Sequence, residues 1–416
     1  MMIAPRLSAG RLGRIRRELA ERGAEALVVL AAHANDPDLA PFVGPVHLGR
    51  SFLLVPAAAD VACRLGYLTD MERDEAAATG LELLTPAELD VPRLVQEITE
   101  PGPLWAEVVK RALARVGLGA GRLALAGHLG AGTVAEIVRS LGAAGWGFAD
   151  GGEVVRLGRK VKEPSELAEL RAASAATCEA FRRIAAILAA AHPLPDGRLE
   201  STGEPVTIGR LRREVLGTLA AAGLAQPHGN ILAPGADGGV PHSMGHDDHV
   251  LRRGEPLVVD LFPQGLLFSD CTRTFVVGEP AAEFRAAFDS VRGALELAHR
   301  STRPGVRGFS LQEETCRFFR ERGYPTILED PATTVGYVHH LGHGIGHELH
   351  EYPSFRKAAG VEGVLEVGDA VTLEPGLYDA PAGWGVRLED LVLVGADGNE
   401  NLTPLPYDYD PKAWFP

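Results

Sequence analysis

The 416-residue sequence predicts two domains, a smaller α/β domain over 1–155 and an α+β domain over 156–416. Three observations carry this. In the first part, short apolar runs of strand length alternate with amphipathic helical runs. The glycine-rich stretch 143–160 then breaks the pattern. Beyond it, strand-like runs recur between helices, and several carry an acid in their interior. At roughly 150 residues per domain, the length suits two or three domains.

Within the first domain, residues 10–23 space their apolar side chains as one face of a helix, and ALVVLAA (26–32) and SFLLVPA (51–57) read as buried strands. The run 105–117 is helical, 122–128 strand-like and 133–142 helical. In the second domain, Pro164 and Ser165 open a periodic run that continues to about residue 190. Residues 192–206 form a polar connection and 211–223 a helix. Ser310 and Glu313 have the spacing of a capping box opening a further helix. The strand-like runs are 256–262, 266–278, 370–378 and 385–395.

Composition excludes several classes. The formal charge of −14 argues against nucleic acid or an anionic membrane surface as the main partner. No stretch approaches the roughly 18 apolar residues of a membrane span, and the N-terminus lacks the apolar core of a secretory signal. Four scattered cysteines, Cys63, Cys178, Cys271 and Cys316, form no disulfide framework. Reduced thiols in a cytoplasmic protein are the expectation.

The chemistry starts from acids in apolar surroundings. Asp260 interrupts PLVVDLF, Asp270 follows ten residues later beyond a turn near Pro263 to Gly265, Glu374 interrupts AVTLEPG, and Glu389 interrupts GVRLEDLVLVG. Each costs several kcal/mol if buried without a partner or a metal. Beside them stands HHLGHGIGHELH, with five of the fourteen histidines within residues 339–350. Four carboxylates around one divalent ion leave −2 in a buried place; around two ions they balance to zero. A dinuclear site follows, and oxygen-rich ligation with one nitrogen favours Mn²⁺, with Zn²⁺ or Co²⁺ as alternatives.

In their order, Asp260, Asp270 in SDCTRT, His343 in GHGIG, Glu374 in LEPGLY and Glu389 in GVRLED resemble the metallopeptidase family (M24) of aminopeptidase P, prolidase and methionine aminopeptidase. The resemblance covers about 160–405. It implies a pita-bread catalytic domain. The domain before it is similar, by length and pattern, to that of aminopeptidase P, prolidase and creatinase. The resemblance further implies that Asp260, Asp270, His343, Glu374 and Glu389 hold two metal ions. It gives His242, His339 and His350 as substrate-facing groups and Arg387 as a brace for the carboxylates. It also implies a homodimer.

The sequence departs from the family's pattern in places. The turn between the aspartates is one residue shorter than in better-known members. The basic residue that prolidases carry before the LEPG glutamate is absent from 361–371, leaving Arg356 and Lys357 as the nearest candidates.

Glycines alternating with His343 and Ile345 predict extended chain, not the helix that a zincin motif needs. His339 shares the strand parity of His343. His350 does not, so a bend or bulge must intervene. His340 and His347 read as supporting or surface residues, and His246 and His249 as part of a solvated loop.

The implied activity is hydrolysis of Xaa-Pro bonds at the N-terminus of dipeptides or short peptides through a metal-bridging hydroxide, with catalytic roles for His242, His350, Glu374 and Arg387. Two alternatives stand beside it. One is a metal-dependent amidohydrolase of the same fold acting on another C–N bond. The other is an inactive binding protein of that fold.

Overall fold

The structure is a computed structural model that describes residues 7–33 and 35–415. The chain divides into two compact units, Met1–Ser165 and Glu166–Pro416. The expected boundary at 155 falls inside the helix Gly151–Arg159.

The first unit is a six-stranded mixed sheet. Its strands are β1 (Ala26–Ala31), β2 (Ser51–Pro56), β3 (Arg64–Tyr67), β4 (Glu82–Leu84), β5 (Gly121–Ala126) and β6 (Trp146–Asp150), in the order β4-β3-β2-β1-β5-β6. Helices cover both faces. Leu27, Val29 and Ala31 share a core with Ile15, Leu19, Val154 and Val155 from helices Ala9–Glu21 and Gly151–Arg159. Ala26, Val28 and Leu30 face Trp105, Val109 and Ile137 from helices Pro101–Arg115 and Ala131–Ala143. A strand buried on both faces needs an unbroken apolar run, which is what 26–31 supplies.

The second unit opens with the helix Pro164–Ala189 and a small antiparallel ribbon of β7 (His192–Pro193), β8 (Leu199–Ser201) and β9 (Glu204–Pro205). The helix Ile208–Ala221 follows. One sheet has the order β10 (Ile231–Pro234), β11 (Pro256–Leu261), β12 (Cys271–Val276). The helices Pro164–Ala189 and Ile208–Ala221 share its core through Phe181, Ile184, Leu211 and Val215. Further on lie β13 (Ala370–Leu373), β14 (Gly376–Asp379), β15 (Trp384–Arg387), β16 (Asp390–Gly395) and β17 (Gly398–Asn401). They pair as β13-β16-β17 and β14-β15, and share a core with helices Ala282–Ser301 and Gly308–Arg320. Two helix-backed sheet assemblies thus make up the second unit.

Several local expectations are corrected. Residues 143–160 do not break the pattern but form β6 and the helix Gly151–Arg159, whose N-cap Asp150 accepts from Glu153 N. The helix expected to open at Ser310 begins at Gly308. There a β-carbon would press on the Phe355 ring and the Ser354 carbonyl. Ser310 is therefore inside the first turn, and no capping box forms. Residues 266–270 are loop, and β12 starts only at Cys271. The runs 370–378 and 385–395 each split into two strands, broken at Glu374–Pro375 and at Leu388–Glu389. Pro375 carries no N–H for a ladder, which accounts for the first break.

Candidate metal centre

All four acids sit at strand ends or breaks. Asp260 is the penultimate residue of β11, paired with Ile231 on one side and Thr272 on the other. Asp270 immediately precedes β12. Glu374 follows β13 and Glu389 precedes β16. At such places a side chain can leave the apolar face of the sheet while its backbone stays anchored. The Glu374 N–H donates to Leu341 O at 2.7 Å, and the Glu389 N–H to Thr272 O at 3.0 Å.

The segment carrying His343 is extended. His343 N–H donates to Thr372 Oγ1 (3.1 Å), and Thr372 N–H returns to His343 O (2.9 Å). A β-carbon at Gly342 would collide with the Thr372 carbonyl, and one at Gly344 with the Tyr352 backbone. Glycine is required at both by close backbone approach. The chain then doubles back: Glu351 N–H donates to Gly344 O (2.8 Å) and Gly344 N–H to Pro353 O (2.9 Å). This reversal brings His350 to 4.2 Å from His343, centroid to centroid, despite its opposite parity.

One ligand atom each from Asp270, His343 and Glu389 lie within 4.8 Å of one another. His343 Nε2 is 3.7 Å from Asp270 Oδ2 and 3.7 Å from Glu374 Oε1. His343 Nδ1 lies 3.0 Å from Gly344 O, an acceptor only, so Nδ1 bears the proton and Nε2 keeps its lone pair toward the acids. Burial, helped by the neighbouring His350, pushes this imidazole down to about 3, so it is neutral and able to ligate.

Arg387 links the acids. Its Nη2 donates to Asp260 Oδ2 at 2.6 Å, and its Nε to Thr272 Oγ1 at 3.1 Å. Thr272 Oγ1 donates in turn to Glu389 Oε2 at 2.7 Å. From Nη1, Arg387 donates to the Tyr378 hydroxyl (2.8 Å) and to Pro241 O (3.2 Å), steadying the loop that carries His242.

One arginine does not balance four carboxylates. Burial first, then repulsion from Glu389, Asp260 and Glu374, pushes the Asp270 carboxyl well above its usual range. Burial, then Glu374 and Asp260, does the same to Glu389. Burial pushes Glu374 up to about 8, against Arg387 and with Asp260. Asp260 Oδ1 and Asp270 Oδ1 are buried and meet no hydrogen-bond donor among the described residues. A compact group of oxygen donors plus one neutral imidazole, short of positive charge and of N–H partners, fits divalent cations.

The remaining histidines separate. His339 has both nitrogens engaged, Nδ1 with His340 O (2.7 Å) and Nε2 with the Tyr378 hydroxyl (2.8 Å). His350 and His242 are exposed, and the charge of His242 is felt by His350. Burial lowers the His350 pKa, followed by the charges of His242 and His228. Arg356 is exposed, and its charge is felt by His340 and His350. His347 is buried, with Nε2 2.9 Å from Glu166 Oε1. His340 and His246 are exposed, and the loop residue His249 bonds Glu255 at 3.1 Å.

Three residues near the site escaped the sequence reading. Thr272 and Tyr378 are hydroxyls on strands, two residues after Asp270 and four after Glu374; a hydroxyl so near a ligand is a usable signal. His228, stacked on Phe268 at 5.6 Å, stands alone in a loop and gave none.

Residues 168–396 match metallopeptidase family M24, and the chain belongs to that family. Among its relatives, the probable dipeptidase PepE of Mycobacterium tuberculosis is 32% identical over 263 residues, 62% of each chain. The Xaa-Pro dipeptidase of Pyrococcus furiosus is 33% identical over 226 residues, 52% of this chain and 60% of the relative. These matches span less than two thirds of the relatives' own length. The fold extends further. An Xaa-Pro dipeptidase structure from Bacillus anthracis superposes with TM-score 0.74 at 22% identity, covering 96% of this chain and 98% of that one. The prolidase from Pyrococcus horikoshii gives 0.70 at 22% identity, covering 94% and 97%.

Proposed function

We propose that this chain is a metal-dependent peptidase that cleaves the bond before proline at the N-terminus of dipeptides or short peptides. In this reading Asp260, Asp270, His343, Glu374 and Glu389 hold two divalent ions, with Mn²⁺ the first choice. The protein works as a cytoplasmic homodimer. The observation that carries the reading is the gathering of Asp270, Glu374 and Glu389 around one neutral imidazole, with Asp260 held by Arg387 and close enough to repel Asp270, and with Asp260 Oδ1 and Asp270 Oδ1 meeting no donor among the described residues. The names of the relatives, probable dipeptidase and Xaa-Pro dipeptidase, support the substrate class.

Two divalent ions, when bound, would supply Lewis acidity toward the scissile carbonyl and make an attacking water more acidic. The protein's own groups do the rest. Glu374, with its carboxyl poised near neutrality, takes a proton from water and returns it to the departing nitrogen. His350, exposed beside His343, donates to the carbonyl oxygen as charge develops there, with His242 near it. Arg387 holds the Asp260 carboxylate and, through Thr272, that of Glu389. Arg356 is placed to meet the far end of a short substrate. An Xaa-Pro bond has no N–H, and its ring fixes φ. A site that reads ring shape and relies on ions and imidazoles does not need that missing donor.

A panel of Xaa-Pro, Xaa-Pro-Yaa and Met-Ala-Yaa peptides, with Mn²⁺, Co²⁺ or Zn²⁺ returned to chelator-treated protein, tests this. Cleavage of the proline peptides with added metal is expected, and dipeptides against tripeptides divide prolidase from aminopeptidase P specificity. Cleavage of Met-Ala-Yaa alone would overturn the proposal.

A further inference from the structure

Behind Glu389 lies a second buried charge system that touches no substrate. Arg273 is 1% exposed, and its guanidinium is spent almost entirely on backbone. Its Nη1 donates to the carbonyl of Glu389 itself at 2.6 Å and to Thr272 O at 2.9 Å. Its Nη2 donates to Asp390 Oδ1 at 2.7 Å.

The other side of that guanidinium is closed by the chain's C-terminal segment. Thr403 O and Leu405 O each accept from Nη2 at 3.2 Å, and Pro406 O accepts from Nε at 3.2 Å. The Tyr407 ring lies 5.0 Å from the guanidinium carbon. Asp390 completes the lock. Its Oδ2 accepts from Asn401 Nδ2 at 2.8 Å and from the Tyr407 hydroxyl, and His299 Nε2 sits 2.8 Å away.

The side chain, N–H and C=O of Glu389 are thus all fixed by the pair Thr272–Arg273. A carboxylate that must turn toward a cation gains affinity when its backbone cannot rotate away. Residues 401–407 lie beyond the family match, which ends at 396. We propose that Arg273, locked by Asp390 and by the C-terminal segment 401–407, is a positioning residue that fixes Glu389 as a metal ligand. The inference rests on the metal-centre reading given above.

The test uses the full chain, stripped by chelator and titrated with Mn²⁺ by calorimetry, with the visible absorption of the Co²⁺-loaded protein as a second readout. Arg273→Lys and Asp390→Asn should weaken metal binding about 10- to 100-fold and move the Co²⁺ bands. Tyr407→Phe, which removes a single hydroxyl, should act in the same direction more mildly, and it decides the matter if the charged variants do not fold. Leu219→Ala, a core truncation in the helix Ile208–Ala221, should lower thermal stability and leave metal affinity unchanged. Glu389→Gln is the reference. If it binds metal like wild type, the metal-centre reading falls and this inference with it. If Glu389→Gln loses metal while Tyr407→Phe and the folded charged variants keep wild-type affinity and bands, the positioning role alone is overturned.

Discussion

Among the described residues two clusters have the composition of a metal site, and one of them has its physics. Asp36, Asp38 and His128 in the first unit bring ligand atoms as close together as Asp270, His343 and Glu389 do in the second. In the first cluster the acids are already served. Asp36 accepts from Asp38 N (2.9 Å) and His128 N (3.0 Å), Asp38 accepts from Gly127 N (3.0 Å), and Arg159 lies 3.6 Å from Asp38. Those carboxylates cap turns. In and beside the second cluster, Asp270 Oδ1 and Asp260 Oδ1 meet no donor among the described residues, and neighbouring acids repel one another. What separates a structural acid from a ligand is the supply of donors and positive charge around it.

The comparison can be broken at several points. The largest effect belongs to Glu374→Gln. It should lower kcat on an Xaa-Pro peptide roughly 10²–10⁴-fold with the thermal transition preserved, while Asp36→Asn leaves kcat unchanged; equal losses would erase the distinction. His350→Ala should lower kcat about 10²-fold with metal content retained. His128→Ala serves as its counterpart in the other cluster and should be silent in the same assay.

Metal linkage follows. Adding Mn²⁺ at a hundred times its Kd to stripped protein should stabilise the second unit by about 2.7 kcal/mol for each ion bound, roughly 5–10 °C per ion. Calorimetric scans should lose that gain in Asp270→Asn and keep it in Asp36→Asn. Asp36→Ala strands the Asp38 and His128 N–H groups and should cost about 1–3 kcal/mol in denaturant unfolding, with metal affinity untouched.

The smallest effect is one of pH. Burial raises the Asp38 carboxyl above its usual value, against Arg159 and His128. The native state therefore binds that proton more readily than the unfolded chain does. Its contribution is full below the ordinary carboxylate pKa and is lost as pH rises through the raised one. Asp38→Asn should flatten that slope in melts across mildly acid pH; an unchanged slope would assign it elsewhere.

The candidate ligand acids were legible because charge inside an apolar run is costly, and Asp260, Glu374 and Glu389 stand out on that ground alone. What the sequence hid is that Glu374 and Glu389 sit at strand breaks and Asp260 near a strand end. Periodicity runs straight through Glu374 and Glu389, and only pairing shows that the strands stop there. Parity placed His339 beside His343 but could not foresee that Tyr378 engages its Nε2. Gly151 and Gly152 read as a linker, yet Asp150 caps a helix over them, because tertiary burial of Val154 and Val155 overrides their low propensity. Arg273 appeared only as a letter in SDCTRT, since its partners lie more than a hundred residues downstream.

The bond between His347 and Glu166 bears on where the catalytic unit can be separated. The family match begins at residue 168, two positions after the carboxylate that His347 reaches from the turn following His343. A fragment started at the match would discard that carboxylate and the first turn of the helix Pro164–Ala189, and would remove the bond it makes to the buried His347 imidazole. A fragment begun ahead of Pro164 keeps both, so the shortest autonomous version of this half is set by a buried hydrogen bond and a helix start, not by where sequence similarity fades.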